Sequence, residues 1–445
     1  MAWLLYNLFV GYLSQRWKGV IFLSVRAIVG AQWGDEGKGK IVDLLAQEAD
    51  IVVRFQGGAN AGHTVVNSYG KFALHLIPCG IFNPKVTNII GTGTVVDPAG
   101  LVTEISQLHQ AGISTKQLKI SNRAHLSIPL YGYLDRLLEL ARGNSAQGST
   151  LRGIAPAYAA KSLRVGLQMG SMLNRERFMQ SLRDILVSGN QLIEAVFKEK
   201  AIDIDATLIE FEEYIRVLSP YICDTLPILH QAAKEDKNIL LEGQLGVMRD
   251  LDWGIYPYST SSNPTSGGAA SGSGLPPHLI SRVTGIVKAF STAVGAGPFP
   301  TELKDEVGSY LRDFGEEFGA TTGRPRRCGW LDLNALRYAA QLNGFTDVAI
   351  TKLDTLDQLE HLKVCTHYRL DGQIVEGMPL AEDLERVEPV YVEMPGWNCS
   401  TQQVRSWQDL PKETKAYVEL IEEACGVKAS WLSVGPSREA TFRRS

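Results

Sequence analysis

The chain has 445 residues and lacks several features that would each have pointed to a particular class. Its apolar runs are too short and too interrupted to span a bilayer, so no membrane role is expected. It has no basic excess: 44 Lys and Arg stand against 48 Asp and Glu, a net charge of −4. Neither nucleic acid nor an anionic membrane is therefore an expected partner, and local basic clusters read as binding sites. The six cysteines (Cys79, Cys223, Cys328, Cys365, Cys399 and Cys425) never fall at C-x-x-C spacing. A chain this long needs no disulfide framework, so reduced thiols in a cytoplasmic protein are expected. There is no internal repeat. The apolar stretch Met1–Val10 has its basic residues behind it, at Arg16 and Lys18, and no small-residue cleavage site, so it does not read as a signal peptide. Residues 1–24 read as an N-terminal extension or a mis-assigned start, and 25–445 as one domain.

What the chain does have is an ordered set of polar loops, three of which follow the apolar runs that end at Val29, Phe55 and Ile350. The first is Gly30-Ala31-Gln32-Trp33-Gly34-Asp35-Glu36-Gly37-Lys38-Gly39-Lys40, between the runs Val25–Val29 and Ile41–Ala46. Small residues let backbone N–H groups approach an anion, and a helix N-terminus adds positive potential. Gly34, Gly39 and Lys40 fit the phosphate-loop pattern G-x-x-x-x-G-K-[ST], but Ile41 stands where the metal-binding hydroxyl belongs. Asp35 inside the cradle would repel a phosphate unless it held a metal ion or took a proton.

Further β-like runs occur at Ile51–Phe55, Asn88–Ile90, Asn238–Leu241, Val283–Lys288, Val348–Thr351 and Ala429–Val434. Helical stretches alternate with them, at Leu101–Gln110, Tyr131–Arg142, Leu208–Val217, Leu331–Gln341 and Glu413–Ala424. This alternation predicts an α/β fold: a large, mostly parallel central sheet with flanking helices, P-loop-NTPase-like. Residues 171–237 read as a helical insertion. Ser259–Gly274 is rich in Ser and Gly and reads as a linker or, given Tyr256-Pro257-Tyr258 before it, as a fixed loop. Ligands are expected beyond the strand C-termini.

Four more loops carry chemistry. Asn60-Ala61-Gly62-His63-Thr64 follows a strand and Gly57-Gly58, and would place His63 beside a transferring phosphoryl group if it faces Asp35. Gly148-Ser149-Thr150-Leu151-Arg152-Gly153, with Arg164 beyond it, reads equally as an anion site or a solvated turn. Gly319-Ala320-Thr321-Thr322-Gly323-Arg324-Pro325-Arg326-Arg327 is the densest basic stretch and reads as an anion clamp. Thr351-Lys352-Leu353-Asp354 ends a strand. Its carboxylate suits the paired N1–H and 2-amino donors of guanine, which adenine lacks.

Taken together and in order, these strings resemble the adenylosuccinate synthetase family. QWGDEGKGK, Gln56–Thr64, Leu74–Pro78, Val294–Leu303, the T-T-G-R-x-R-R loop and TKLD all stand where that family has them, from about Val25 to the C-terminus. The resemblance implies a GDP-forming carbon–nitrogen ligase. Such enzymes join IMP to L-aspartate at the expense of GTP, through 6-phosphoryl-IMP, in the first committed step of AMP synthesis. It implies Asp35 as catalytic base and His63 as acid. GTP would be held by Gly34, Asp35, Glu36, Gly37, Lys38, Gly39, Lys40, Gly62, His63, Thr64, Arg326, Lys352, Leu353, Asp354, Ser433, Val434 and Gly435. IMP would meet Asp35, Lys38, Asn60, Ala61, Gly62, His63, Thr150, Arg164, Thr260 and Arg324. Aspartate would meet Ala320, Thr321, Thr322, Gly323, Arg324 and Arg326. Mg2+ would be bound by Asp35 and the Gly62 backbone, and Arg164 would reach the neighbouring subunit of a homodimer.

The chain also departs from the family's strings. The family's E-G-A-Q-G is Glu242-Gly243-Gln244-Leu245-Gly246 here, so Leu245 replaces a glutamine that contacts the inosine base. T-T-G-R-G-I-G has become Ser149–Ala155, and D-H-G has become Asp252-Trp253-Gly254. Two other readings stand beside the first. One is a paralogue acting on another purine monophosphate or amine; the other is a GTP-binding regulatory protein.

Overall fold

A computed structural model describes residues 25–319 and 323–444. The expected extension, and Ala320, Thr321 and Thr322 of the basic loop, lie outside the described residues. The central sheet runs in the order Thr441–Arg443, Ala429–Ser433, Asp347–Thr351, Ile280–Lys288, Val25–Gly30, Ile239–Glu242, Ile51–Gly57, Thr87–Val96, Leu118–Ser121 and Ile222–Cys223. Neighbours along this path are parallel, except for the C-terminal hairpin at one edge. The expected α/β architecture is the one observed, and the six further β-like runs all contribute strands to this sheet.

The period of two along each strand divides the core. Val25, Ala27 and Val29 face one apolar layer and Ile28 the other; Ile51, Val53 and Phe55 face the first and Val52 the second. Arg54 lies on the second face and is fully buried, a cation inside an apolar wall. Such a group persists only where carboxylate and amide oxygens compensate its desolvation. Its partners belong to the site described below.

The structure revises the local readings in three places. Residues 171–237 hold the helices Arg175–Leu192, Ile204–Leu218 and Leu226–Lys234, but also Ile222–Cys223, an edge strand of the central sheet. A two-residue strand leaves no readable period. Ser259–Gly274 is not a linker. Its second half is the helix Ser266–Ser273, packed so tightly on the sheet that a Cβ at Gly272 would lie 1.9 Å from the Phe55 carbonyl oxygen. The small residues permit that approach. Leu331-Asp332 is a short strand before the helix Leu333–Asn343, so the helical stretch begins two residues later than its pattern indicates. A smaller sheet, built from that strand with His361–Leu370, Gln373–Val375 and Glu388–Pro395, has no counterpart in the sequence reading.

Candidate active site

The loop after Val25–Gly30 turns through left-handed backbone at Gly34 (φ 103°), Asp35 (φ 60°) and Gly37 (φ 89°) before the helix Lys38–Leu45 begins. Glycine takes such angles freely, whereas Asp35 is strained there by about 1–3 kcal/mol. Glu36 holds the turn. Its buried carboxylate accepts from the backbone N–H groups of Gln32 (3.1 Å) and Gly34 (2.9 Å), and from Lys38 Nζ. The strain at Asp35 directs its carboxylate outward to a wall shared by two cavities.

The larger cavity, about 550 Å³, is bounded by Asp35, Gly37, Lys38, Gly39, Lys40, Gly62, His63, Thr64, Arg326, Lys352, Ser433 and Gly435, among others. The smaller, about 200 Å³, is bounded by Asn60, Thr150, Arg249, Tyr258 and Thr260, with Trp33 and Gly148. Asp35, Ala61, Gly62 and Leu245 line both. Two loops that are far apart in sequence thus meet where the strand ends converge, as expected for an open parallel sheet.

The electrostatics around Asp35 form a chain. Lys288 Nζ donates to Glu317 Oε1 (2.8 Å), Arg326 Nη1 to Glu317 Oε2 (2.6 Å), and Arg326 Nη2 to Asp35 Oδ1 (3.1 Å). Burial alone would raise the Asp35 pKa, but Arg326, Lys288 and Lys38 outweigh it and hold the carboxyl below its ordinary value. Asp35 is therefore an ionised acceptor at neutral pH.

His63 sits opposite. Its Nδ1 lies 2.5 Å from Glu242 Oε1, and Cys79 Sγ lies 3.2 Å from the same oxygen. Burial and then Arg54 push the imidazole pKa down, against the pull of Glu242, while His63 and Arg54 keep the buried Glu242 carboxyl below its ordinary value. An ionised carboxylate only accepts, so Nδ1 carries the proton and Nε2 keeps its lone pair. His63 Nε2 is buried without a protein partner. An incoming phosphate would supply the negative charge that raises this pKa and lets Nε2 be protonated.

At the far end of the larger cavity, Lys40 Nζ donates to Ser433 Oγ and to the Gly435 carbonyl. Burial depresses its pKa to about 8. Lys352, left-handed at φ 63°, bonds the Gly315 carbonyl at 2.6 Å. Asp354 is buried, and its Oδ1 has no hydrogen-bond partner. Burial raises the pKa of this carboxyl, and Lys352 opposes the shift. An orphaned carboxylate oxygen at a strand end fits a ligand that brings N–H donors. In the smaller cavity Thr260 Oγ1 is likewise buried and unpartnered.

Most of the expected residues come together, and several stand apart. Gly34, Glu36, Leu353, Asp354 and Val434 are not among the residues that line the larger cavity. Gly323 and Arg324 are exposed on the basic loop, whose base is closed by the Phe318↔Pro325 bridge and by Arg326 N–H to the Glu317 carbonyl (2.9 Å). Arg164 is an exposed, left-handed C-cap (φ 64°) of the helix Ile154–Leu163 and lines neither cavity. Sequence reasoning missed Lys288, Glu317 and the role of Glu242. The acid just ahead of the basic loop and the acid ending a strand were the available signals. It also missed Arg249, whose guanidinium ties the carbonyls of Tyr258 (2.5 Å) and Val294 (2.6 Å) over the smaller cavity.

A glycine-rich loop at a helix N-terminus, an unpartnered carboxylate oxygen after a strand and a left-handed Asp35 on the wall of two cavities define a class, nucleotide-binding α/β enzymes. Comparison with known proteins narrows the class. The adenylosuccinate synthetase family model matches residues 27–442. Adenylosuccinate synthetase of Caldanaerobacter subterraneus is 49% identical over 94% of this chain and 99% of that protein. The Heliobacterium modesticaldum protein of the same name is 48% identical, again over 94% and 99%. The structure of fully ligated adenylosuccinate synthetase from Plasmodium falciparum superposes with a TM-score of 0.90 at 37% identity, covering 95% of this chain and all of that one. The chain belongs to the adenylosuccinate synthetase family.

Proposed function

We propose that Asp35 is the base and His63 the acid of the reaction this family performs, the GTP-dependent ligation of IMP and L-aspartate to adenylosuccinate. The protein is a carbon–nitrogen ligase of purine biosynthesis. The observation that carries the residue assignment is the place of Asp35, on the wall shared by the two cavities and beside Arg326. GTP fits the larger cavity, with its phosphates toward Lys38 and Lys40 and guanine toward Asp354. IMP fits the smaller one, near Asn60, Thr150 and Thr260.

Inosine's O6 is a poor leaving group. Removal of the N1 proton by Asp35 makes O6 a nucleophile toward the γ-phosphorus; the bond to the GDP oxygen breaks as the O6–P bond forms. The aspartate amine then adds at C6, and the C6–O6 bond breaks to release phosphate. General base catalysis contributes about 10²–10⁴-fold, and positioning and charge stabilisation supply the rest. Arg326, held by Glu317, is placed to stabilise charge next to Asp35. Arg324, Gly323 and the neighbouring Ala320, Thr321 and Thr322 are the proposed aspartate loop.

Asp35 and the Gly62 backbone offer hard oxygen donors on the shared wall, a set that suits Mg2+. The ion would neutralise charge on the phosphate oxygens. Leu163 and Val165, 68% and 59% exposed, flank the exposed Arg164. An apolar rim around a protruding cation supports a homodimer in which Arg164 serves the partner's IMP site. Among the described residues no helix is long and apolar enough to cross a membrane.

Asp35→Ala tests the assignment. Product formation from Mg·GTP, aspartate and IMP should fall below detection while GTP still binds. Full activity of the variant would refute the role. In the same assay, product from GMP and none from IMP would favour the paralogue reading.

A further inference from the structure

Gln244 occupies no cavity wall, yet it is fully buried directly behind one. Its Oε1 accepts from Arg54 Nη2 at 2.5 Å, and its Nε2 donates to Asn60 Oδ1 at 2.6 Å. The neighbouring backbone is built around this contact. Gly57, left-handed at φ 88°, leaves room for it: a Cβ there would lie 2.6 Å from Gln244 Oε1. Gln56 Nε2 donates to the Gln244 carbonyl at 2.7 Å. Leu245, also left-handed at φ 61°, lines both cavities, while the Gln244 side chain is buried against Arg54 and Asn60.

The order of donors in this chain is not arbitrary. A guanidinium has only donors, so the Gln244 atom facing Arg54 must be the oxygen. Its NH₂ must then face Asn60, and the Asn60 atom receiving it must be the oxygen. Asn60 makes no other side-chain hydrogen bond among the described residues, so its NH₂ is left for the smaller cavity. We infer that Gln244 is a positioning residue for the mononucleotide site. Through Arg54 it fixes which face of the Asn60 amide meets the ligand, presenting a donor to an oxygen of the bound purine mononucleotide. The same Arg54 lies 3.6 Å from Glu242 Oε1, which orients His63, so one buried cation sets the polarity of both ligand-facing groups.

The inference rests on Asn60 belonging to the IMP site, and its test separates the two claims. Steady-state KM values for IMP and GTP are measured for Gln244→Ala, Gln244→Glu, Asn60→Ala and the two double variants. Gln244→Ala frees the Asn60 amide to turn and should raise the KM for IMP about tenfold, the size of one lost hydrogen bond, with the KM for GTP within about twofold. Gln244→Glu still accepts from Arg54 but can only accept from Asn60, so it turns the amide oxygen toward the ligand and should be worse for IMP than Ala. In the Asn60→Ala background neither change should have a further effect, whereas a purely structural or charge effect would persist. Additive effects in that background, or a parallel loss for GTP, overturn the inference. An unchanged KM for IMP in Asn60→Ala overturns the site reading and the inference with it.

Discussion

Replacing Asp354 by Asn should degrade GTP use by a predictable amount and change which purine the protein prefers. The carboxylate is buried at the end of Asp347–Thr351, and its Oδ1 has no protein partner. Guanine offers two donors to it, N1–H and the 2-amino group, each making a charge-assisted bond of about 1.5–3 kcal/mol. Asparagine keeps one acceptor for N1–H and turns an NH₂ against the 2-amino group. One bond is lost and two donors are opposed, about 3 kcal/mol in all, or roughly 100-fold in KM. ITP has no 2-amino group, so the wild-type protein should use it about tenfold less well than GTP, and the variant should lose that distinction. XTP has a carbonyl at C2, which the new NH₂ can meet, so the variant should use XTP better than GTP. The assay is initial rate against each triphosphate at saturating IMP and aspartate. Equal KM values for GTP in wild type and variant would refute the assignment of Asp354.

Three further outcomes follow from buried charge and close packing. Lys40, depressed to about 8, gains its proton when an anionic phosphate arrives, so GTP binding near that pH should take up protons; calorimetry in buffers of different ionisation heat should show uptake near pH 8 and little at about pH 6. Asp332 is raised by burial to about 6 while it caps Leu333–Asn343 through Ala335 N–H and accepts from Tyr368. The folded state therefore holds that proton more tightly than the unfolded chain, and ionisation costs up to about 3 kcal/mol of stability as pH rises past the folded pKa. Asp332→Asn keeps a capping oxygen and removes the charge, so denaturant melts should show a larger gain at about pH 8 than at about pH 5, and an equal gain at both would contradict this reading. Gly272→Ala would force a Cβ to 1.9 Å from the Phe55 carbonyl, and the helix Ser266–Ser273 should lift from the sheet at a cost of at least about 2 kcal/mol by the same melts.

The parallel sheet was legible because its strands are buried on both faces and read as apolar runs such as Val25–Val29 and Val348–Thr351. The site was legible where chemistry is local in sequence: the Gly34–Lys40 turn, Asn60–Thr64 and Lys352–Asp354. It was not legible where one side chain acts through another. Glu317 pairs with Lys288, 29 residues away, and Glu242 with His63, 179 residues away. Neither spacing has a period that could signal contact. The same limit applies to Gln244. In sequence it is only the neighbour of Leu245, which replaces the family's glutamine, and nothing local shows that its amide lies between Arg54 and Asn60. Leu245 lines the cavities, and the Gln244 amide orients Asn60 from behind.

The role proposed for Asp35 is to turn the inosine oxygen into the nucleophile that takes the γ-phosphoryl group. IMP labelled with oxygen-18 at C6 tests it directly, in a full reaction with Mg·GTP and aspartate followed by mass analysis of the released phosphate. If O6 attacks phosphorus and then leaves with it, the label appears in inorganic phosphate in step with adenylosuccinate. Adenylosuccinate formed with unlabelled phosphate would contradict the account, because the oxygen would then have left C6 without ever being bonded to phosphorus.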